Sequence, residues 1–274
     1  MRQSPKIRVQ AGYLALAICQ FSGCGDPSGA SSNSSGLILG KVELPAASKR
    51  DSILVNGVTR SWLLVPPSPA SSAPVELVFY FHGYGGSGYE SGRRDLGVPG
   101  RVTVYPNGLA QSWYQNALGW DNRSNSTDDV KFITQLLDTL LARYPIDPTR
   151  VYSTGFSWGG WMSNTVGCAL GDRLAGMVSA AGGGPGGSTT TCASPLPVEI
   201  LHATNDGAED QSEGVKSREF WRTKNGCKTD SMPVGTHGCV TYKACAKPVI
   251  WCSHDGGHSV PGWWLEQAWS GFGN

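Results

Sequence analysis

Strand-like and helix-like segments alternate along most of the chain. Apolar runs at 52–56 (SILVN), 59–65 (TRSWLLV), 76–81 (ELVFYF), 101–105 (RVTVY), 150–154 (RVYST), 176–180 (GMVSA), 198–203 (VEILHA) and 248–252 (PVIWC) predict strands. Several are nearly continuous in apolar residues, the pattern of strands covered on both faces. Between them, Ile133, Leu136, Leu137, Leu140, Leu141 and Tyr144 recur at helical spacing and predict a helix over 128–144. Ser126 or Thr127 can cap its start, Asp128 and Asp129 suit the positive end of its dipole, and Pro145 stops it. Further helices are predicted at 158–170, at 211–225 and at 263–270. The alternation predicts an α/β fold with a mostly parallel sheet and helices on both faces. No internal repeat appears, and no linker after residue 36 divides the chain, so one folded domain is expected over 51–274.

The start of the chain reads differently. Arg2, Lys6 and Arg8 precede a short apolar run at 11–19, which predicts a signal peptide over 1–23 rather than a membrane span. Phe21-Ser22-Gly23-Cys24 resembles a bacterial lipobox, which would make Cys24 a lipid attachment point. The Gly/Ser/Asn-rich stretch that follows reads as a flexible tether over 24–50. Phe21 in place of the usual Leu, and Gln20 within the run, leave cleavage without lipidation as the alternative. The expected location is extracytoplasmic, either on an outer membrane or secreted, with membrane contact only through the anchor.

Composition narrows the function classes. With 39% hydrophobic and 16% charged residues, the chain has enough apolar surface for a buried core. The 22 basic and 21 acidic residues nearly cancel, which argues against a nucleic-acid partner. Eight cysteines without a CxxC pair point to an oxidising compartment, and neither they nor the histidines show zinc-ligand spacing. No metal or organic cofactor is therefore expected. Setting aside Cys19 and Cys24 leaves six cysteines, which allow fifteen pairings. If 239–243 and 248–252 form a hairpin, Cys239 faces Cys252, leaving Cys227 with Cys245 and Cys168 with Cys192.

The chemistry sits at strand ends. Gly155-Phe156-Ser157-Trp158-Gly159 matches G-x-S-x-G between a predicted strand and a predicted helix. That is the context of a nucleophile elbow, where a sharp turn exposes a serine at a helix N-terminus. A serine nucleophile needs a base, and the base an orienting acid. Asp206 follows the strand 198–203 and His258 follows the strand 248–252, in the chain order Ser, Asp, His of this topology. Glu209, Asp210 and Asp255 compete for the acid position, and His254 for the base. Directly after the strand 76–81 comes His82-Gly83-Tyr84-Gly85-Gly86, a turn able to aim the Tyr84 amide at an oxyanion beside the amide of Trp158. His82 and the glycines are expected to shape that turn. Of the ten tryptophans, Trp113, Trp120, Trp158 and Trp161 fall in or near the presumed catalytic loops. Trp120 and Trp161 are candidates to hold substrate, against the blander expectation that a given Trp fills the core.

Seven blocks in order carry a family resemblance: HGYGGSG (82–88), YPNG (105–108), GWDNRSNSTDDVKFI (119–133), IDPTRVYSTGFSWGGWMSN (146–164), HATND (202–206), NGC (225–227) and GGHSVPG (256–262). Together they resemble the polyhydroxybutyrate depolymerase/feruloyl esterase group, α/β-hydrolases of carbohydrate esterase family 1 type. The resemblance covers about residues 52–265, and the spacing of the cysteines after NGC is similar to the feruloyl esterase branch. It implies an α/β-hydrolase fold and a serine carboxylesterase with Ser157, Asp206 and His258 as its triad. Feruloyl or acetyl esters of plant polysaccharide are the implied substrates, with a polyhydroxybutyrate-type polyester as the rival. An inactive surface-binding lipoprotein is the alternative of a different class.

Overall fold

The computed structural model describes residues 44–93, 95, 97–186 and 191–264. Its first elements form a hairpin, β1 (Lys49–Val55) with β2 (Val58–Val65), around Asn56-Gly57. Both turn residues have positive φ, a geometry that an Asn-Gly pair accepts with little strain. There follow β3 (Val75–Phe81), a short helix α1 (Gly88–Gly92) and β4 (Arg101–Pro106). A small separate hairpin is made by β5 (Leu109–Gln111) and β6 (Ala117–Gly119). Then come α2 (Asp128–Arg143), β7 (Ile146–Phe156), α3 (Trp158–Ala169), β8 (Gly176–Ala180), β9 (Val198–Ala203), α4 (Gln211–Lys224), β10 (Ser231–Val234), β11 (Cys239–Tyr242) and β12 (Val249–His254).

Among the described residues the main sheet has ten strands, in the order β1-β2-β4-β3-β7-β8-β9-β12-β11-β10. The strands from β4 to β12 pair in parallel, and the two edges are antiparallel. This is the mostly parallel sheet of an α/β-hydrolase. Successive residues of the inner strands serve opposite faces. On β9, Val198 and Ile200 join a large core with Leu136, Leu137 and Val166 of the helices, whereas Leu201 joins Val178, Ile250 and Trp264. Strand order changes direction between β3 and β7, because β4 lies on one side of the pair and β8 on the other. In parallel sheets the crevice beyond the carboxyl ends at such a point is where ligands bind.

The helices begin and end where side-chain chemistry allows. Thr127 caps α2 by accepting from the Val130 amide, and the helix stops before Tyr144-Pro145. Helix α4 is capped by Asp210 and closes at Asn225, followed by Gly226 at a φ of 66°. Buried Arg60 on β2 pairs with Asp129 at the start of α2, and Asp129 also accepts from the Asp121 amide. That ion pair fixes the loop running from β6 to α2 beside the sheet.

Three disulfides close the described part of the chain: Cys168–Cys192, Cys227–Cys245 and Cys239–Cys252. The last follows from strand register. Val240 faces Trp251 and Thr241 faces Ile250 across β11 and β12, so the next pair outward is Cys239 with Cys252. Four elements leave no signal in the sequence pattern: α1, β5, β6 and β10, all five residues or shorter. The signal peptide, the lipid attachment at Cys24 and the tether as far as residue 43 lie outside the described residues, as does most of the helix expected at 263–270. The end of the expected tether is corrected: Leu44 packs against the core, and Lys49 and Arg50 already belong to β1, where they pair with Leu64 and Leu63.

Candidate active site

Ser157 stands between β7 and α3 with φ 58° and ψ −123°, a conformation that L-residues rarely adopt. The turn is held by close backbone approach. A Cβ on Gly155 would strike the Gly159 carbonyl, and one on Gly159 would strike the Phe81 carbonyl at the end of β3. Glycine at both positions therefore lets α3 settle directly on the strands that carry the site. Ser157 occupies the N-cap of α3 without using its side chain as a cap, so Oγ is left for other partners. That partner is His258, whose Nε2 lies 3.0 Å from Ser157 Oγ.

The other ring nitrogen of His258, Nδ1, lies 2.8 and 3.0 Å from the two oxygens of Asp206. A carboxylate only accepts, so Nδ1 carries the proton and Nε2 presents its lone pair to the serine hydroxyl. Burial works against the charge on Asp206, but the amides of Glu209 and Ala208 and the His258 ring all donate to it. The balance holds its carboxyl below the usual range and keeps it ionised. The competing residues are placed elsewhere. Glu209 lines the cleft, Asp210 caps α4, Asp255 is solvent-exposed, and His254 Nδ1 accepts from the Gly256 amide.

On the far side of Ser157 lies the turn 82–86. A Cβ on Gly83 would sit 3.4 Å from the Ser157 Cβ, which measures how near this turn runs to the serine. His82 anchors the turn from below. It is buried, its Nδ1–H donates to the Gly83 carbonyl, and its Nε2 accepts from the Gly108 amide. Burial lowers its pKa, in keeping with a neutral ring in that tautomer. The Gly85 amide is engaged by the Leu118 carbonyl. Among the described residues, neither the Tyr84 amide nor the Trp158 amide donates to a protein acceptor. Both amides are thus left without a protein acceptor, one directly after Gly83 and the other directly after Ser157.

An open cleft of about 710 Å³ surrounds the serine, lined by Tyr84, Trp113, Tyr114, Trp158, Trp161, Asn122 and Glu209 among others. One wall is aromatic: the Tyr84 ring stacks on Trp158, and Trp113 and Tyr114 meet Trp158 edge to face. Trp161 also lines the cleft, with its Nε1–H donated to Glu209. Trp120 does not. Its side chain is fully buried, packs against Phe81 and His82, and donates Nε1–H to the His82 carbonyl. The substrate contact expected of Trp120 is therefore corrected to a support beneath the 82–86 turn. It goes inward because the loop that carries it is tied down by Asp129. Tyr114 and Asn122 escaped the sequence reading as cleft residues, although the WY pair in a polar turn is a usable signal of an exposed aromatic rim.

Comparison with known proteins agrees with this architecture. The model of the phospholipase/carboxylesterase family matches residues 68–243. Feruloyl esterase C of Emericella nidulans is 31% identical over 225 residues, covering 75% of this chain and 80% of that protein. A probable feruloyl esterase C of Aspergillus clavatus is 30% identical, with 75% and 79% covered. Among solved structures, an acetyl xylan esterase from Aspergillus awamori superposes with a TM-score of 0.64 at 16% identity, covering 82% of this chain and 99% of that one. The last likeness speaks for the fold, and the sequence matches for descent. The chain belongs to the phospholipase/carboxylesterase family of α/β-hydrolases and is a carboxylic ester hydrolase.

Proposed function

We propose that the chain is an extracytoplasmic serine esterase that cleaves feruloyl or acetyl esters of plant polysaccharide through an acyl-enzyme on Ser157. The observation that carries this reading is the unbroken hydrogen-bonded line from Ser157 Oγ through His258 to Asp206. His258 Nε2 takes the serine proton as Oγ attacks the ester carbonyl. Negative charge develops on the carbonyl oxygen beside the Tyr84 and Trp158 amides, at the positive end of α3. Collapse of that intermediate breaks the bond to the alkoxy oxygen, which leaves as alcohol with the proton from His258. Water, deprotonated by the same nitrogen, then attacks the acyl carbon and releases the acid and Ser157. Asp206 steadies the imidazolium in both halves.

An aromatic acyl group is favoured over acetyl by the wall of Tyr84, Trp113, Tyr114 and Trp158, which offers a planar ring far more surface than an acetyl group needs. The names of the two relatives support the same class. Three disulfides support an oxidising compartment. Export directed by residues 1–23, with Cys24 as lipid attachment ahead of a tether that ends before β1 and of the catalytic domain that begins there, belongs to the same proposal.

The test is a hydrolysis panel of methyl ferulate, acetylated xylan and poly-3-hydroxybutyrate, run beside labelling with a fluorophosphonate probe. Labelling that disappears in Ser157→Ala, with turnover of methyl ferulate, is the expected result. Turnover of the polyester alone would overturn the polysaccharide reading, and no labelling of the folded protein would overturn the enzymatic one.

A further inference from the structure

Glu209 is the only carboxylate among the described residues that line the cleft, and the triad does not use it. Its place is fixed twice over. The Glu209 amide donates to Asp206, and its carbonyl accepts from Nε2–H of fully buried His202, so the backbone is pinned on both sides. The side chain reaches across to α3, where Oε1 accepts from Trp161 Nε1–H at 3.1 Å. Trp161 in turn is packed on one side against Gly183, where even a Cβ would collide with its ring. The remaining oxygen, Oε2, has no protein partner among the described residues.

Burial raises the Glu209 pKa while the Trp161 hydrogen bond works against that shift, and in its ionised form a pre-positioned carboxylate with one oxygen unpartnered, on the wall of a substrate cleft, is an acceptor. It matches a neutral hydroxyl and rejects an anion. Asn122 lines the same cleft and adds an amide able to donate to an ether oxygen or a second hydroxyl. We propose that Glu209 is a specificity-determining residue of this esterase, accepting a hydrogen bond from a free hydroxyl of the substrate through Oε2. The inference rests on the esterase reading above and deepens it: the preferred esters carry a hydroxyl, on the aromatic acid or on the sugar next to the ester.

Two substrate pairs distinguish the two sources of that hydroxyl. The phenol arm compares methyl ferulate with methyl 3,4-dimethoxycinnamate, in which the hydroxyl is capped. The sugar arm compares a monoacetylated methyl xyloside with its O-methylated counterpart. The readout is the ratio of kcat/KM within each pair, which a fall in folded fraction would leave untouched. We expect the wild-type chain to favour the free hydroxyl in one arm by about tenfold or more, the scale of a hydrogen bond to a charged group. Glu209→Ala is expected to bring that ratio close to one, and Glu209→Gln to an intermediate value. Ratios that remain as in wild type in Glu209→Ala, in both arms, overturn the inference while leaving the esterase reading intact. Failure of the wild-type chain to hydrolyse either class overturns both.

Discussion

The proposed nucleophile and its proposed base come from two unlike regions of the sheet. Ser157 leaves β7 in the middle, with β3 and β8 paired on either side and α3 seated on glycines against the strand ends. His258 leaves β12, which has only the short β11 and β10 beyond it. The central region is held by close backbone contact that leaves no room for a Cβ at Gly155 or Gly159. The outer region is held by a covalent link between β11 and β12 and by the hydrogen bonds that gather around Asp206. A strained backbone needs neighbours on all sides to over-determine it, whereas a loop that presents a base needs only its endpoints fixed.

That contrast can be broken at several points, the strongest being the group that joins the two regions. Asp206→Asn is expected to lower kcat by about 10⁴-fold with the fold retained, because the amide no longer selects the Nδ1–H tautomer of His258. Steady-state kinetics with a circular dichroism control checks it. Gly159→Ala tests the central region: its Cβ meets the Phe81 carbonyl, so the elbow must shift from β3. A displacement of about 1 Å is expected to cost about 10²-fold in kcat, alongside a lower Tm.

The strand on which the outer region rests has its own sensitive group. Glu199 on β9 is buried with Oε2 unpartnered, and burial pushes its pKa up to about 8. A carboxyl raised in the folded state contributes its full stability below its unfolded value near 4.5, and that contribution is lost as pH rises towards 8. Glu199→Gln is therefore expected to gain about 3–5 kcal/mol over the wild-type chain at pH 8, with the gain vanishing near pH 4.5. Denaturant melts at both pH values read it, and an equal difference at the two would refute it. Replacing Cys239 and Cys252 together by Ser should cost about 3 kcal/mol of stability, the scale for a loop this short. Its effect on kcat should be smaller than that of Gly159→Ala, since β12 keeps its parallel pairing with β9. Trp113→Ala sits at the low end: a rise of about threefold to tenfold in KM for aromatic esters, with little change for 4-nitrophenyl acetate.

Most strand and helix segments were legible in the sequence because each is a local signal. Long apolar runs marked β3, β8 and β9, and a helical stripe with its cap and proline stop marked α2. Glycines on both sides of Ser157, after a strand and before a helix, marked the elbow for the same reason: the steric demand is satisfied within five residues. One disulfide, Cys239–Cys252, likewise follows from a hairpin register. Elements of three to five residues did not show, because β5, β6, β10 and α1 carry too few buried positions to make a period.

What the sequence by itself determined is the order of chemical groups along the chain: serine, acid, base, and the turns that deliver them. Which acid pairs with the base, which tryptophan faces the cleft, and which carboxyl is left buried without a partner were decided by the tertiary structure. Asp206 and Glu209 are three residues apart and look alike in sequence, yet one is drawn under His258 by two amides and the other is held outward by Trp161. Trp120 and Trp161 look equally available, yet one is pulled beneath the turn 82–86 and the other lines the cleft. The physical reason is that direction and burial of a side chain depend on contacts from elements tens of residues away, which no local pattern encodes.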